Sequence, residues 1–214
     1  MDNIQMNVLI LCSGTALSLP EKNYDSAGFA VLSQPTADRE FLTEGKKLNA
    51  GGRPVYVSTW MSARRTAEQL IDEAELLEEP LLDEVILRPY KDSSQKLPLW
   101  HWRLMAQVQR RIGNARQPES SAQTRVRAEK LIELLEAHGQ DCILVSHPIF
   151  LKTLLDRFRA HGYVAARSEI FSIKPLERIV LTRRDMHCGG CQHNCLLSNP
   201  GCGVGRDKAR RHSG

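Results

Sequence analysis

Val145-Ser146-His147-Pro148 puts an imidazole where an apolar run stops. The run itself, Cys142-Ile143-Leu144-Val145, reads as a short strand buried on both faces. Pro148 then opens a helical stretch from Ile149 to Phe158, since proline is tolerated in a helix's first turn. At the carboxyl end of a strand in an open α/β sheet, His147 lies on the edge where ligands bind. There it can serve acid–base chemistry or simply close the strand with a backbone bond. A second apolar run, Asn7 to Cys12, leads into Ser13-Gly14-Thr15, a small-residue turn able to bring backbone N–H groups close to an anion. Far from both, Cys188, Cys191, Cys195 and Cys202 follow the spacing Cys-x2-Cys-x3-Cys-x6-Cys, with glycines between the first two. A glycine turn lets two thiolates face one ion, and four thiolates suit zinc or an iron–sulfur cluster. Spacing does not choose between the two, and His187 and His193 are spare ligands. The plain alternative is a tail of free thiols, or of disulfides formed after purification.

The elements that must position these groups alternate between strand and helix patterns. Strand-like runs fall at Asn7–Cys12, Pro54–Thr59, Cys142–Ser146, Glu169–Ile173 and Arg178–Thr182. Helical patterns cover 38–49 up to Gly51-Gly52, 62–79, 99–112, 121–138 and 149–160, with 17–35 irregular and 81–98 a proline-punctuated loop. Ala63, Ala67, Leu70, Ile71 and Ala74 give the second helix one apolar face. The Trp, Leu and Met stripe of 99–112 reads as core or lid packing. Gln117-Pro118-Glu119-Ser120 is a helix-start signal, and Gly139 a stop. Strands alternating with helices indicate an α/β fold: a three-layer sandwich with a mostly parallel central sheet and helices on both faces.

Composition narrows the function classes. Hydrophobic residues make up 42% and charged residues 25% of 214, an ordinary soluble balance. No window approaches the roughly 18 uncharged apolar residues of a membrane span. Met1-Asp2-Asn3-Ile4-Gln5 lacks the basic start and apolar run of a secretory signal, so a cytoplasmic location is expected. In that compartment a cysteine cluster reads as a metal site rather than a disulfide framework. The net charge of +4 belongs to the tail: from Arg183 onward there are six Lys/Arg against two Asp, while residues 1–182 carry 23 of each sign. The body therefore gives no footprint for nucleic acid. The expected division is an α/β domain over 1–182 and a Cys-rich metal-binding segment over 183–214.

Leu-Ile-Leu-Cys12-Ser13-Gly14-Thr15, Leu42-Thr43-Glu44-Gly45, Ser62-Ala63-Arg64-Arg65-Thr66-Ala67-Glu68, Leu82-Asp83-Glu84, Glu119-Ser120 and Val145-Ser146-His147 occur in that order. Together they resemble the histidine phosphatase superfamily, which includes the phosphoglycerate mutases, over roughly residues 7–182. The resemblance implies a phosphoglycerate mutase-like fold and a phosphate pocket of two histidines and two arginines beside an acid. One histidine becomes a phosphohistidine, cations stabilise the phosphoryl oxygens, and a carboxyl protonates the leaving oxygen. Carried over by position, this chain departs from the pattern. Cys12-Ser13-Gly14 stands where the family has Arg-His-Gly, so Ser13 occupies the nucleophile's place and Cys12 the first arginine's. Ser62 occupies the second arginine's place. His147 matches the second histidine and Glu84 the proton donor.

Lost guanidinium forks remove charge-assisted bonds worth roughly 1.5–3 kcal/mol each. The expectation is a degenerate member, a pseudophosphatase, with a residual anion pocket in which Gly14, Thr15, Arg64 and Arg65 are the phosphate-binding candidates. Its role would be binding or regulatory, its partner a phosphorylated small molecule or a protein, with no membrane and no nucleic acid, and zinc or an iron–sulfur cluster in the tail. Arg64 and Arg65 equally suit the solvent face of a helix. The alternative is an active phosphatase or other hydrolase with a rebuilt site, in which Ser13 or Cys12 is the nucleophile and His147 and Glu84 assist, because a serine needs an adjacent base.

Overall fold

A computed structural model describes residues 6–14, 21–34, 45–165 and 173–183. In chain order its elements are β1 (Asn7–Cys12), β2 (Asn23–Tyr24), α1 (Ser26–Leu32), β3 (Leu48–Asn49), β4 (Val55–Val57), α2 (Met61–Leu70), β5 (Ile71–Asp72) and β6 (Leu76–Glu78). A 3-10 turn at Pro80–Leu82 follows, then β7 (Leu97–Pro98), α3 (Leu99–Arg111), α4 (Ser121–His138), β8 (Cys142–Ser146), α5 (Pro148–Ala160), β9 (Tyr163–Ala165) and β10 (Arg178–Arg183).

The main sheet has six strands in the order β6-β4-β8-β1-β10-β9. β6, β4, β8 and β1 pair in parallel, β10 runs antiparallel to β1, and β9 antiparallel to β10. Five of the six strands therefore point the same way. The continuous apolar runs follow from burial on both faces. Val8, Ile10, Cys12, Cys142 and Leu144 pack into one core cluster with α4 and α5, while Leu9, Leu11, Ile143 and Val145 pack into another with Ala63, Ala67 and Leu70 of α2. The result is the three-layer α/β arrangement that the alternation of elements predicts.

Local chemistry sets the helix ends. Ser120 and Gln123 form a reciprocal capping box, and Gly139 closes α4 in the left-handed conformation at φ 63°. α1 falls inside a stretch read as irregular. Its signal is Asp25, whose side chain accepts the Gly28 N–H, but seven residues with a glycine carry little periodicity. α2 stops at Leu70, short of the expected 79: Ile71–Asp72 pairs with Leu48–Asn49 and Leu76–Glu78 joins the sheet. The helical pattern expected over 38–49 gives way to β3 at its end, while 38–44 lies outside the described residues. Of the strand expected at 169–173 only Ile173 is described, and β9 was not anticipated.

Arg127 of α4 clamps the turn after β6. Its guanidinium forks onto Glu119 at 3.1 and 3.0 Å, donates to the carbonyls of Leu81 (3.1 Å) and Asp83 (2.7 Å), and lies 4.3 Å from the centre of the Phe150 ring. Arg127→Ala leaves a half-buried carboxylate and two carbonyls without this partner. It should cost about 2–4 kcal/mol in denaturant unfolding, and a loss below about 1 kcal/mol would show that the turn holds without the clamp.

Candidate functional site

Three neighbouring parallel strands end in line. The register pairs Cys12 with Ser146 and Val57 with Val145, so Ser13, Ser58 and His147 follow one another along the carboxyl edge of β1, β4 and β8. β8 was added between strands that precede it in sequence, so this edge lies where the chain changes direction across the sheet. Backbone bonds hold the positions: Ser13 N–H donates to the Ser146 carbonyl at 2.7 Å and Ser58 N–H to that of Val145 at 3.0 Å.

The side chains join in one hydrogen-bonded file. Ser13 Oγ is 2.9 Å from His147 Nδ1, His147 Nε2 is 3.1 Å from Ser58 Oγ, and Ser58 Oγ donates to Asp83 Oδ1 at 2.8 Å. Asp83 is itself anchored by Thr59, through the backbone N–H at 2.8 Å and through the hydroxyl. A carboxylate only accepts, so the single Ser58 hydrogen goes to Asp83, and His147 Nε2 must carry a proton to meet the Ser58 oxygen. Nδ1 is then bare and accepts from the Ser13 hydroxyl. His147 is 4% exposed, and burial pushes its pKa down from 6.5 to about 3. The imidazole is neutral at ordinary pH.

Above this file is a cavity of about 350 Å³. Ser13, Gly14, Ser62, Glu84 and His147 line it together with apolar side chains including Leu32, Trp60, Val85, Leu87 and Ile149. Trp60 stands over His147, its ring centre 5.2 Å away. Arg103, exposed, is the one cationic side chain among the described lining residues. Glu84 turns its carboxylate onto the backbone, accepting from Val85 (2.9 Å), Ile149 (3.1 Å) and Phe150 (2.9 Å), the last two at the start of α5. Burial raises its pKa, while those three donors and Arg127 oppose the rise.

The structure thus brings Ser13, Gly14, Glu84 and His147 to one cavity. The other expected residues stand apart. Cys12 is fully buried in the core cluster shared with α4 and α5, and burial drives its thiol up to about 12, the inert form. Arg64 is exposed and paired with Glu68 (2.9 Å) and Glu78 (2.7 Å); neither it nor Arg65 lines the cavity. Gly14 gives its N–H to Thr66 Oγ1 at 3.0 Å. Thr15 and the four tail cysteines lie outside the described residues, among which no group of three or more His, Cys, Asp or Glu could hold a metal. No described helix is long and apolar enough to cross a membrane. Sequence reading missed Ser58, Asp83 and Arg103; the one available signal was a serine directly after a strand, as at Ser13.

A family model described as histidine phosphatase superfamily (branch 1) matches residues 44–188. The chain belongs to that superfamily. The matched span contains α2, Glu84 and His147, and begins after Cys12-Ser13-Gly14. No curated protein matches the chain. Among solved structures it is similar to open reading frame Rv3214 of Mycobacterium tuberculosis, at 17% identity over 82% of this chain and 90% of that one, with a TM-score of 0.48. TTHB049 of Thermus thermophilus is 18% identical over 82% and 92%, at 0.47. A phosphoserine phosphatase of Entamoeba histolytica in complex with 3-phosphoglyceric acid is 13% identical over 82% and 89%, at 0.47.

The depressed His147 pKa makes a linkage prediction. Folded, the imidazole protonates near 3; unfolded, near 6.5. The stability this gives is complete above 6.5 and is lost progressively as pH falls from there towards 3, by up to about 1.4 kcal/mol per pH unit. His147→Gln keeps a donor and an acceptor without a titrating group. Glu84 runs the opposite way but is common to both proteins. Urea midpoints should therefore show the gap between wild type and variant narrowing between neutral pH and about pH 5, and a constant gap would refute the shift.

Proposed function

We propose that this histidine phosphatase-fold protein has lost phosphohistidine chemistry and uses the remaining cavity to bind a small ligand in a regulatory or carrier role. The observation that carries this is the file Ser13–His147–Ser58–Asp83 at the cavity floor, in which the imidazole is held neutral. The phosphohistidine chemistry of the family uses an imidazole nucleophile, and phosphoryl transfer calls for cations at the equatorial oxygens. Here a serine stands at the first place, the one cation among the described cavity-lining residues is Arg103, and the second imidazole is held uncharged. Glu84, with its carboxylate on three backbone amides, is poorly placed to release a proton to a leaving group. Purified protein should show no turnover of p-nitrophenyl phosphate or 3-phosphoglycerate across pH that Ser13→Ala or His147→Gln abolishes; turnover lost in both, with the fold intact, overturns this reading.

The 2.9 Å contact between Ser13 and His147 favours a second reading, a serine ester hydrolase. Ser13 Oγ would attack the ester carbonyl, its proton passing to His147 Nδ1 and then to the departing alcohol, and water would release the acyl group. Against it stands a base pushed down to about 3, far from the range that makes an efficient general base. A fluorophosphonate probe decides: labelling at Ser13 supports the hydrolase, and an unlabelled Ser13 eliminates it.

For the tail, we propose that Cys188, Cys191, Cys195 and Cys202, which follow β10 in the chain, hold zinc or an iron–sulfur cluster. The support is their spacing and the glycines between the first two. Anaerobically purified protein should contain either about one zinc per chain, or iron and sulfide with visible absorption. Neither metal, with the thiols free, would dismiss the site.

A further inference from the structure

Helix α3 is apolar on two opposite faces, and among the described residues the fold covers one of them. Trp102 and Ala106, fully buried, turn into the core, where the Trp102 indole N–H donates to the Tyr24 carbonyl at 2.8 Å and the ring stacks 5.8 Å from Phe29. On the far side Trp100, Leu104 and Val108 follow one another at steps of four, and Ile112, the C-cap residue, continues the row. Steps of four keep side chains on one helix face. These four are 65%, 52%, 39% and 72% exposed. Single exposed apolar side chains are ordinary, but a row of four along one helix, headed by a tryptophan, marks an interaction surface. A helix apolar on both sides belongs between two layers, and the core supplies one.

Charge chooses the second layer. α3 holds no acidic residue, and its exposed Arg103 and Arg111, two steps of four apart, flank the apolar row on one side. Two antiparallel copies of α3 would set these arginines along the same side of the joint, a like-charge contact. An anionic membrane selects a polybasic surface, whereas residues 1–182 carry 23 charges of each sign. We propose that this face of α3 docks an amphipathic helix of another protein, its own i, i+4 apolar row laid on Trp100, Leu104, Val108 and Ile112 and its acidic side chains on the flank of Arg103 and Arg111. The row is about 18 Å long, so the partner contributes about three turns. Arg103 and Gln107 also line the cavity, which places the docked helix at its rim, and the proposal does not depend on what the cavity holds.

The test is calorimetric titration of the full chain with two synthetic helical peptides of about five turns, each with leucine at every fourth position, one carrying glutamate along a flank and the other lysine. The glutamate peptide should bind at least about tenfold more tightly, since it exchanges repulsive pairs with the two arginines for attractive ones. Its binding should shift tryptophan emission to the blue, a change that Trp100→Phe removes. Leu104→Gln places a good helix former outside the core, so it should leave the melting temperature unchanged while weakening the glutamate peptide about tenfold. Arg111→Glu should narrow the gap between the two peptides. Equal binding of both peptides, or no binding of the glutamate peptide, would overturn the proposal. A dimer in sedimentation that Leu104→Gln dissociates would overturn it in favour of a second copy. Flotation with phosphatidylserine vesicles, lost in the same variant, would overturn it in favour of a membrane surface.

Discussion

A serine hydroxyl has one hydrogen, and at Ser58 it is committed to Asp83. Everything above it in the file inherits its protonation from that commitment. His147 must donate from Nε2 and accept at Nδ1, and Ser13 must point its own hydrogen inward. The bonds all run toward the carboxylate, so what Ser13 offers the cavity is oxygen lone pairs. A phosphoryl group calls for the reverse polarity, donors converging on its oxygens. Where the resemblance implies donors converging on a phosphate, Ser13 therefore presents an acceptor.

The carboxylate can impose this order because the segment that carries it is held at every residue. Ser146 donates its hydroxyl to the Leu82 carbonyl at 2.5 Å, and Arg127 holds the Asp83 carbonyl. Ser58 and Thr59 hold the Asp83 side chain, while Glu84 reaches the start of α5. Three consecutive residues thus tie β4, β8, α4 and α5 together. The resemblance assigns Glu84 a part in catalysis; the geometry gives it a structural bond to α5 in the same place.

How much of this was legible in the sequence depends on the range of the interaction. β1 and β8 were plain because a strand buried on both faces must be apolar throughout, and α4 because its capping box and Gly139 are local chemistry. The helical pattern of α2 ran on past Leu70 because Ile71 and Ala74 keep the period, while pairing with Leu48–Asn49 decides otherwise. In the site, Ser13 and His147 stood out as the residues that end apolar runs. Ser58 and Asp83 did not, since a hydrogen bond between residues 25 apart, or 89 apart from Ser58 to His147, leaves no spacing to read.

The substitutions at the site are consistent with one another on electrostatic grounds. An imidazolium buried to 4% exposure needs an adjacent anion, and Asp83 is one hydroxyl removed from His147. A neutral imidazole needs only a donor and an acceptor, and both serines provide them. Had an arginine stood at position 12, its side chain would leave the strand on the face occupied by Cys12, among Ile10, Leu144 and the residues of α4 and α5, where a guanidinium must find partners or reach the cavity. A buried thiol carries no such demand. Each replacement lowers the desolvation cost that the others would otherwise have left uncompensated, which is why the imidazole at the cavity floor can be buried, ordered and uncharged at once.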